Sequence, residues 1–330
     1  MTASREGSTT GAAKPDNSGK TLCALGLFVC VALMLSLPLS YVWLGFDVFT
    51  HFALQYMLFG ASFLIACLVP RWRVATAVIL VGLSFAGIGL WARSNGESNT
   101  SQAAVRALAM PGMRRLRIMT FNTWLPNTDW KAVASEIRAK NPDIVTLVEF
   151  DNKKAPLLKT LKADWPYQVT CQSVSFCHMV VLSKIPYQKK AARTRWVGPP
   201  YLRVSFGREL GGLTLFAIHT IRPPHFRAHL KQVTALAREI NRYKGLKLAM
   251  GDFNSTPYSR TLSSFTEMVG LKRLTSKPTW PSFLGGLPQI GIDHIFVSPA
   301  IKAVRQPYLG ASSGSDHFPV NAVVAIPVKQ

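Results

Sequence analysis

The chain has 330 residues, of which 48% are hydrophobic and 16% charged, and its 38 Lys and Arg against 16 Asp and Glu give a formal net charge of +22. This composition excludes an acidic disordered protein and is not that of a plain cytosolic enzyme. The first 92 residues carry five basic and three acidic side chains, which leaves a net charge of +20 on residues 93–330. The chain therefore divides into an apolar N-terminal part and a basic part long enough for one large domain.

The N-terminal part contains three runs without Asp, Glu, Lys or Arg, at residues 21–46, 48–70 and 74–92, which are 26, 23 and 19 residues long. A helix that crosses a bilayer needs about 20 such residues. A cleaved signal peptide has one apolar stretch of about 7–15 residues, which does not account for two further runs. The sequence therefore predicts three transmembrane helices over residues 21–92. Inside the second run, His51 and Gln55 are expected near the membrane interface or bonded to a neighbouring helix.

Basic residues in the short connections predict the orientation of these helices, because Lys and Arg are retained on the cytoplasmic side. The tail of residues 1–20 and the second turn are basic, whereas the first turn carries only Asp47. The basic residues concerned are Arg5, Lys14, Lys20, Arg71 and Arg73. With three spans, residues 93–330 emerge outside, in the periplasm or the extracellular space. We therefore expect a multi-pass protein of the cell (inner) membrane, with no protein partner evident.

The basic part contains two cysteines, Cys171 and Cys177. An even number of cysteines in an oxidising compartment permits a disulfide. The alternative is a metal pair, which would lack the two further ligands that a zinc site needs. The sequence leaves open whether the two thiols are joined.

A polar linker punctuated by Gly and Pro at residues 93–112 is followed by a domain at 113–330 in which strands and helices alternate. The predicted strands are 115–121, 144–148, 179–182, 202–206, 213–218, 246–250, 292–297 and 318–326. One predicted helix runs from a cap at Asn127 or Thr128 to Lys140, and another covers about 226–243. Together they indicate an α/β fold with two packed β-sheets flanked by helices.

Polar side chains recur where the apolar strands end. These residues are Asn122, Glu149, His219, Asp252, Asn254, Asp293, Asp316 and His317. Side chains at strand ends converge on one rim of a layered α/β protein, where ligands bind. Each has an ordinary structural alternative, since Asp252 and Asn254 could shape a turn and His219 could be a bonded core residue. We predict a single site formed by all eight.

The segments around these residues are TFNTW, TLVEF, AIHT, GDFNSTP, IDHIF and SDHFPV. In this order and spacing they resemble the endonuclease/exonuclease/phosphatase superfamily, which includes pancreatic deoxyribonuclease, abasic-site endonucleases, neutral sphingomyelinases and inositol polyphosphate phosphatases. The resemblance covers about residues 114–328 and implies a four-layer α/β sandwich with hydrolase activity. It departs from the family in FCHMVVLSK, residues 176–184, where relatives carry a glycine-containing strand.

Hydrolysis of a phosphate ester requires a hard cation at the phosphate oxygens and an activated water. Glu149 is the best candidate ligand for that cation, because Mg²⁺ takes one or two carboxylates and keeps several waters. Asn122 can supply an adjacent oxygen or hold a phosphate oxygen, and Asp316 can complete the shell. The predicted cofactor is Mg²⁺ or Mn²⁺.

The resemblance implies that Asp293 and His317 form a pair in which the carboxylate fixes the imidazole and His317 acts on the scissile phosphate as base or donor. Asp252 is the rival general base, and Asn254 orients the phosphate or the water. His219 matches a further phosphate-contacting histidine. No match is found for the acidic residue that partners this histidine in deoxyribonuclease, so the role of His219 stays open.

Two substrates fit these residues. A lipid-linked phosphate or pyrophosphate at the outer membrane surface is favoured, because the helices tether the site near membrane lipids and the charge of +20 attracts anionic head groups. The alternative is a tethered nuclease that binds nucleic acid through basic segments such as Lys189–Arg195 and the cluster of Lys153, Lys154, Lys159 and Lys162, for which solvated surface faces are the favoured interpretation. A non-catalytic binding module is the third interpretation.

Overall fold

The computed structural model describes residues 17–94, 112–171, 177–193, 198–274 and 277–328. Most of the predicted tail at 1–20 and of the predicted linker at 93–112 lies outside these residues. The described part has an N-terminal group of helices and a two-sheet domain.

The N-terminal helices are α1 (Ser18–Met34), α2 (Ser36–Val42), α3 (Asp47–Thr50), α4 (Ala53–Cys67) and α5 (Arg73–Arg93). Two stretches are long and apolar enough to cross a membrane, namely Ser18–Val42 and Arg73–Arg93. The second apolar run is not a continuous helix, because Leu44–Thr50 and Ala53–Cys67 meet at a bend of 62°. The described residues thus provide two spans, or three if the bent pair counts as one.

The domain contains the following strands and helices. They are β1 (Met113–Asn122), α6 (Trp130–Lys140), β2 (Ile144–Val148), α7 (Ala155–Thr160), β3 (Tyr167–Thr170), β4 (Met179–Ser183), β5 (Tyr187–Arg193), β6 (Tyr201–Phe206), β7 (Thr214–His219), α8 (Phe226–Asn241), β8 (Lys247–Asp252), α9 (Arg260–Val269), β9 (Lys272–Arg273), β10 (Asp293–Val297), β11 (Lys302–Leu309) and β12 (Val320–Pro327).

The strands form two six-stranded sheets in the orders β11-β12-β1-β2-β4-β3 and β5-β6-β7-β8-β10-β9. The main core lies between the sheets and includes Leu116, Val181, Leu215 and Ile295. Helices α6 and α7 cover the outer face of the first sheet, and α8 and α9 cover that of the second. The predicted four-layer sandwich is confirmed.

Helix α6 begins at a different cap from the two that the sequence suggested. Its N-cap is Asp129, whose carboxylate accepts a hydrogen bond from the backbone N–H of Ala132, whereas the side chain of Asn127 accepts from Asp129 N. An N-cap must be followed directly by the first helical residue, which here is Trp130. The prediction of Asn127 or Thr128 was therefore wrong by one or two positions.

Cys171 and Cys177 form a disulfide, with their Cα atoms 5.6 Å apart. The bond joins the end of β3 to the segment that leads into β4, and both cysteines are buried in the core between the sheets. Of the two alternatives that the sequence left open, the structure therefore has the disulfide.

The N-terminal helices contact the domain at several places, which include the end of α5 and the start of α4. The end of α5 is held where Lys277 Nζ donates to the carbonyl of Trp91 (2.8 Å) and where the guanidinium of Arg93 lies 5.3 Å from the ring of Phe318. The bend before α4 is held where Gln55 Nε2 donates to the carbonyl of Gln289 (2.7 Å). The side chain of Gln55 thus donates a hydrogen bond to the domain and not to a neighbouring membrane helix.

Candidate active site

The eight predicted site residues lie along one rim of the sandwich. Asn122, His219 and Asp252 are the last residues of β1, β7 and β8, and Glu149 directly follows β2. Strands β10 and β12 run antiparallel to β8 and β1, so the start of β10 and the loop before β12 reach the same rim. The two sheets therefore bring all eight residues to one end, as the positions of the strand ends predicted.

Asn122 lies at the centre of the cluster. Its Nδ2 is 3.0 Å from Asp252 Oδ2, 3.3 Å from Glu149 Oε1 and 3.4 Å from His317 Nε2. Its Oδ1 accepts a hydrogen bond from the backbone N–H of Trp124 (2.9 Å). Because the donor end of the amide faces the cluster, the geometry favours the phosphate-holding role of Asn122 over that of a cation ligand.

Glu149 occupies a left-handed backbone conformation, with φ +54°, at the point where β2 ends. Its Oε2 accepts from the N–H of Leu125 (2.9 Å), and its Oε1 lies 3.5 Å from His219 Nε2. Burial raises the pKa of the carboxyl, but the hydrogen bond and charge of His219, with Leu125 N and Asn122, outweigh it and hold the pKa far below its usual range. Glu149 is therefore ionised throughout the physiological range.

Asp293 and His317 form the predicted pair, with His317 Nδ1 2.8 Å from Asp293 Oδ2. The hydroxyl of Thr279 donates to the same carboxylate oxygen (2.6 Å). Burial lowers the pKa of His317, but the charge and hydrogen bond of Asp293, with Asp252 and Asp316, raise it to about 10. His317 is consequently protonated at neutral pH, with Nε2 directed at the centre of the site.

Asp252 lies between the two histidines, and its Oδ2 is 4.0 Å from the Nε2 atoms of both His219 and His317. Burial and the charge of Asp293 raise its pKa to about 6, against the opposing effects of the two imidazoles. Its Oδ1 accepts from the N–H of Asn254 (2.7 Å). A carboxylate with this pKa can exchange a proton near neutral pH.

The GDFN segment, residues 251–254, has two positions with positive φ, a backbone conformation that few residue types adopt. Gly251 has φ +150°, and a Cβ there would collide with the carbonyl oxygen of Ile218 on the neighbouring strand. Asn254 has φ +48°, and its Nδ2 donates to the carbonyl of Thr220 (3.0 Å). Gly251 therefore lets β8 approach β7 closely, which places Asp252 beside His219.

Two groups of side chains could hold a divalent cation. The potential ligand atoms of Glu149, His219 and Asp252 lie within 4.8 Å of one another, as do those of Asp252, Asp293 and His317. The buried oxygens Asp293 Oδ1 and Asp316 Oδ1 have no hydrogen-bond partner among the described residues. Carboxylate oxygens left without donors in a buried cluster fit a hard cation, so the residues present suit the predicted metal.

Asp316 belongs to neither of these groups. Its Oδ2 accepts from the indole N–H of Trp280 (3.1 Å), and its Oδ1 lies 3.9 Å from His317 Nε2. Burial raises its pKa, against the lowering effects of His317 and Trp280. Asp316 thus flanks His317, and its role in the metal shell stays a prediction.

The sequence interpretation missed two residues, Lys154 and Thr279, that form hydrogen bonds to the site residues. Lys154 is fully buried, and its Nζ lies 3.2 Å from the carbonyl of Glu149 and 3.4 Å from both the carbonyl of Leu125 and Asp151 Oδ1. Its place in a run of lysines suggested a nucleic-acid contact, and its burial shows that interpretation to be wrong for this residue. Thr279 was missed too, because a threonine in a loop carries no sequence signal for a bond 14 residues away.

These carboxylates and imidazoles can hold a divalent cation and exchange a proton near neutral pH, which is the chemistry that the metal-dependent hydrolysis of a phosphate ester requires. A model of the Endonuclease/Exonuclease/phosphatase family matches residues 119–317, more than half of the chain, so the protein belongs to that family. Among the curated proteins searched, none matches the chain significantly.

Solved structures share the fold at low sequence identity. An endonuclease/exonuclease/phosphatase family protein from Bacteroides thetaiotaomicron has a TM-score of 0.52 at 17% identity, with 66% of this chain and 97% of that one covered. A humanised TDP2 of D. rerio has a TM-score of 0.54 at 14% identity, with 64% and 98% covered. A beta toxin mutant from Staphylococcus aureus, with bound magnesium ions, has a TM-score of 0.50 at 15% identity, with 63% and 99% covered.

Proposed function

We propose that the protein is a membrane-anchored, Mg²⁺-dependent phosphoric-ester hydrolase that acts outside the cytoplasmic membrane on lipid-linked phosphate or pyrophosphate. The observation that supports this proposal is the contact between a residue next to the site and the end of one N-terminal helix. Phe318, the neighbour of His317 in the chain, lies against Arg93 at the end of α5. The catalytic rim is thereby held next to a helix that is long and apolar enough to span a bilayer.

The proposed orientation rests on where the basic residues lie. Gly19 at the start of α1 lies beside Arg73 and Val74 at the start of α5, so Lys20, Arg71 and Arg73 lie at the end of these helices opposite to the end of α5 that contacts the domain. Lys and Arg mark the cytoplasmic side, which leaves the domain outside. The Cys171–Cys177 disulfide agrees with an oxidising compartment.

In the proposed mechanism, the two groups with shifted pKa values take opposite roles. Asp252, with a pKa of about 6, accepts the proton of the attacking water as the water oxygen bonds to phosphorus and the P–O bond to the leaving alcohol or lipid phosphate breaks. His317, with a pKa of about 10, stays protonated and donates from Nε2 to a phosphate oxygen, while Asp293 fixes its orientation through Nδ1. Asn122 and Asn254 donate to the remaining phosphate oxygens.

Glu149 would hold the cation, because it is ionised and its Oε1 faces the cluster. When bound, Mg²⁺ supplies positive charge that stabilises the phosphate oxygens as they become more negative. The magnesium ions bound in the structurally similar beta toxin support the choice of metal.

The competing candidate is a nuclease tethered to the membrane. The net charge of +20 on residues 93–330 favours it, because phosphate contacts supply most non-specific affinity for nucleic acid. The burial of Lys154 removes one lysine from the predicted contact surface, while Lys153 and Lys159 remain exposed. A non-catalytic binding module is not proposed, since the complete set of reactive groups lies within one cluster.

The test compares the two substrates directly. Full-length protein in vesicles is given a polyprenyl pyrophosphate and a supercoiled plasmid in parallel, with Mg²⁺, and His317→Ala serves as the control. Phosphate release from the lipid without nicking, lost in the variant, is the expected result. Nicking of the plasmid that the variant loses, without phosphate release, would replace the lipid phosphatase by the tethered nuclease.

A further inference from the structure

Helix α9 begins immediately after the loop that follows Asp252 and carries Asn254. The first N–H groups of a helix have no partner inside the helix and must be satisfied from elsewhere. Ser259 accepts from the N–H of Leu262, as an ordinary N-cap does. The N–H groups of Arg260 and Thr261 are not satisfied by the loop itself.

Asp47, the first residue of α3, accepts hydrogen bonds from both. Its Oδ1 accepts from Arg260 N at 2.6 Å, and its Oδ2 accepts from Thr261 N at 3.1 Å and from the Thr261 hydroxyl at 2.5 Å. The two partners are more than 200 residues apart in the chain, and Asp47 is only 4% exposed. Negative charge at a helix N-terminus is favourable, so the helix itself helps to compensate for the burial of this carboxylate.

Further bonds fix the same loop between the two parts of the chain. Thr256 Oγ1 lies 3.3 Å from His51 Nδ1, next to α4. On the domain side, the carbonyl of Ser255 accepts from His294 Nε2 (2.8 Å). The loop that follows Asp252 therefore contacts the N-terminal helices on one side and β10 on the other.

We infer that Asp47 is a positioning residue for the catalytic loop, so that the N-terminal helices are part of the catalytic unit as well as its anchor. The inference rests on the proposed function for the roles of Asp252 and Asn254. Loss of the Asp47 carboxylate frees the start of α9 and, with it, the five residues that connect α9 to Asn254. Small displacements of catalytic groups have large effects on rate, so the turnover number is the quantity that responds.

The experiment uses the full chain in detergent micelles, with Asp47→Ala and Asp47→Asn compared with Ser84→Ala. Ser84 donates to the carbonyl of Leu80 within α5, so its variant perturbs the helices without touching the catalytic loop. With a polyprenyl pyrophosphate as substrate and rates normalised to folded protein, we expect kcat to fall about tenfold in Asp47→Ala with KM within about twofold. Asp47→Asn keeps one acceptor and retains more activity, and Ser84→Ala matches the wild type.

Hydrogen exchange supplies a readout that does not depend on the substrate. The amides of Arg260 and Thr261 are expected to exchange about tenfold faster in Asp47→Ala, because each loses its acceptor. A merely structural role would lower the yield of folded protein and leave kcat per folded enzyme unchanged, which would overturn the inference. Unchanged exchange at these two amides would overturn it as well. A wild type that hydrolyses no phosphoester would instead refute the proposed function, and the exchange data would still decide whether Asp47 holds the loop.

Discussion

Asp252 and Asp293 face each other directly on the neighbouring antiparallel strands β8 and β10. Two buried carboxylates in this arrangement cannot both be ionised without compensation. His317 bonds to Asp293 and compensates for its charge, and burial together with the repulsion from Asp293 raises the pKa of Asp252 to about 6. One pairing of strands thus accounts for both the protonated imidazole and the carboxylate that titrates near neutral pH.

The pH dependence of activity follows from these two groups. Because Asp252 must be ionised to accept a proton, kcat/KM is expected to rise with pH through the pKa of Asp252, which is about 6 in the metal-free protein and lower when a cation is bound beside it. Because His317 must be protonated to donate, kcat/KM is expected to fall at alkaline pH, where the pKa of about 10 in the metal-free protein is likewise lowered by the cation. The profile is measured with saturating Mg²⁺ at constant ionic strength. A rate that does not fall on the acid side would contradict the assignment of Asp252.

The raised pKa of His317 makes the stability of the folded protein fall as the pH rises. Its pKa is about 10 in the folded protein against 6.5 as the ordinary value, so the folded state binds this proton more tightly. The contribution is fully present below pH 6.5 and is lost as the pH rises towards 10. The Tm of the metal-free protein should therefore fall over this interval, and the fall should be smaller in His317→Gln. An equal fall in both proteins would show that other groups cause it.

Substitution of Lys154 tests whether its buried ammonium stabilises the backbone next to the site. In Lys154→Met the carbonyls of Glu149 and Leu125 lose a buried donor, so the free energy of unfolding should fall by about 1–3 kcal/mol. The matched control is Lys153→Met, since Lys153 is exposed and one residue away. Thermal unfolding of both variants gives the comparison, and equal stabilities would mean that the buried ammonium contributes nothing.

Metal removal provides the simplest test of the cation. EDTA should abolish activity, and added Mg²⁺ or Mn²⁺ should restore it. Glu149→Gln removes the charge of the proposed ligand and should raise the concentration of Mg²⁺ needed for half-maximal activity by about 10–100-fold. Full activity in the presence of chelator would exclude a metal-dependent reaction.

The orientation can be tested with fusions in living cells. A reporter that is active only outside the cytoplasm, fused after Gln330, should be active, and one fused after Arg71 should be inactive. The second fusion is the matched control because Arg71 lies in the proposed cytoplasmic turn. The reverse pattern would place the catalytic domain in the cytoplasm and remove the argument for an outer-leaflet lipid.

Strand ends were the most predictable part of the molecule. Asn122, Glu149, His219 and Asp252 each close an apolar run, and a layered α/β fold brings such ends together whatever the loop lengths. The edge strands were not predicted, because β5 carries Lys189 and Lys190 and is bounded by solvent on one side. Charged residues protect edges against further pairing and so obscure the strand pattern.

Partners distant in sequence account for most of what was missed. The second apolar run was predicted as one helix because composition alone shows no bend. The bend arises where Asp47, His51 and Gln55 turn towards acceptors and donors that lie more than 200 residues away. Likewise, the burial of Lys154 depends on a loop at Leu125 that no local pattern connects to it.

The bend before α4 has a consequence for the surrounding lipid. Helix α4 has 15 residues, which at about 1.5 Å per residue extend to about 22 Å, against about 30 Å of hydrocarbon in a typical bilayer. In the proposed topology the bilayer must thin locally around this helix to avoid exposing its ends. Thinning draws the head groups of both leaflets towards the bilayer midplane. The hydrophobic mismatch of α4 would thus bring the outer head groups level with the start of α4, where Gln55 contacts the domain.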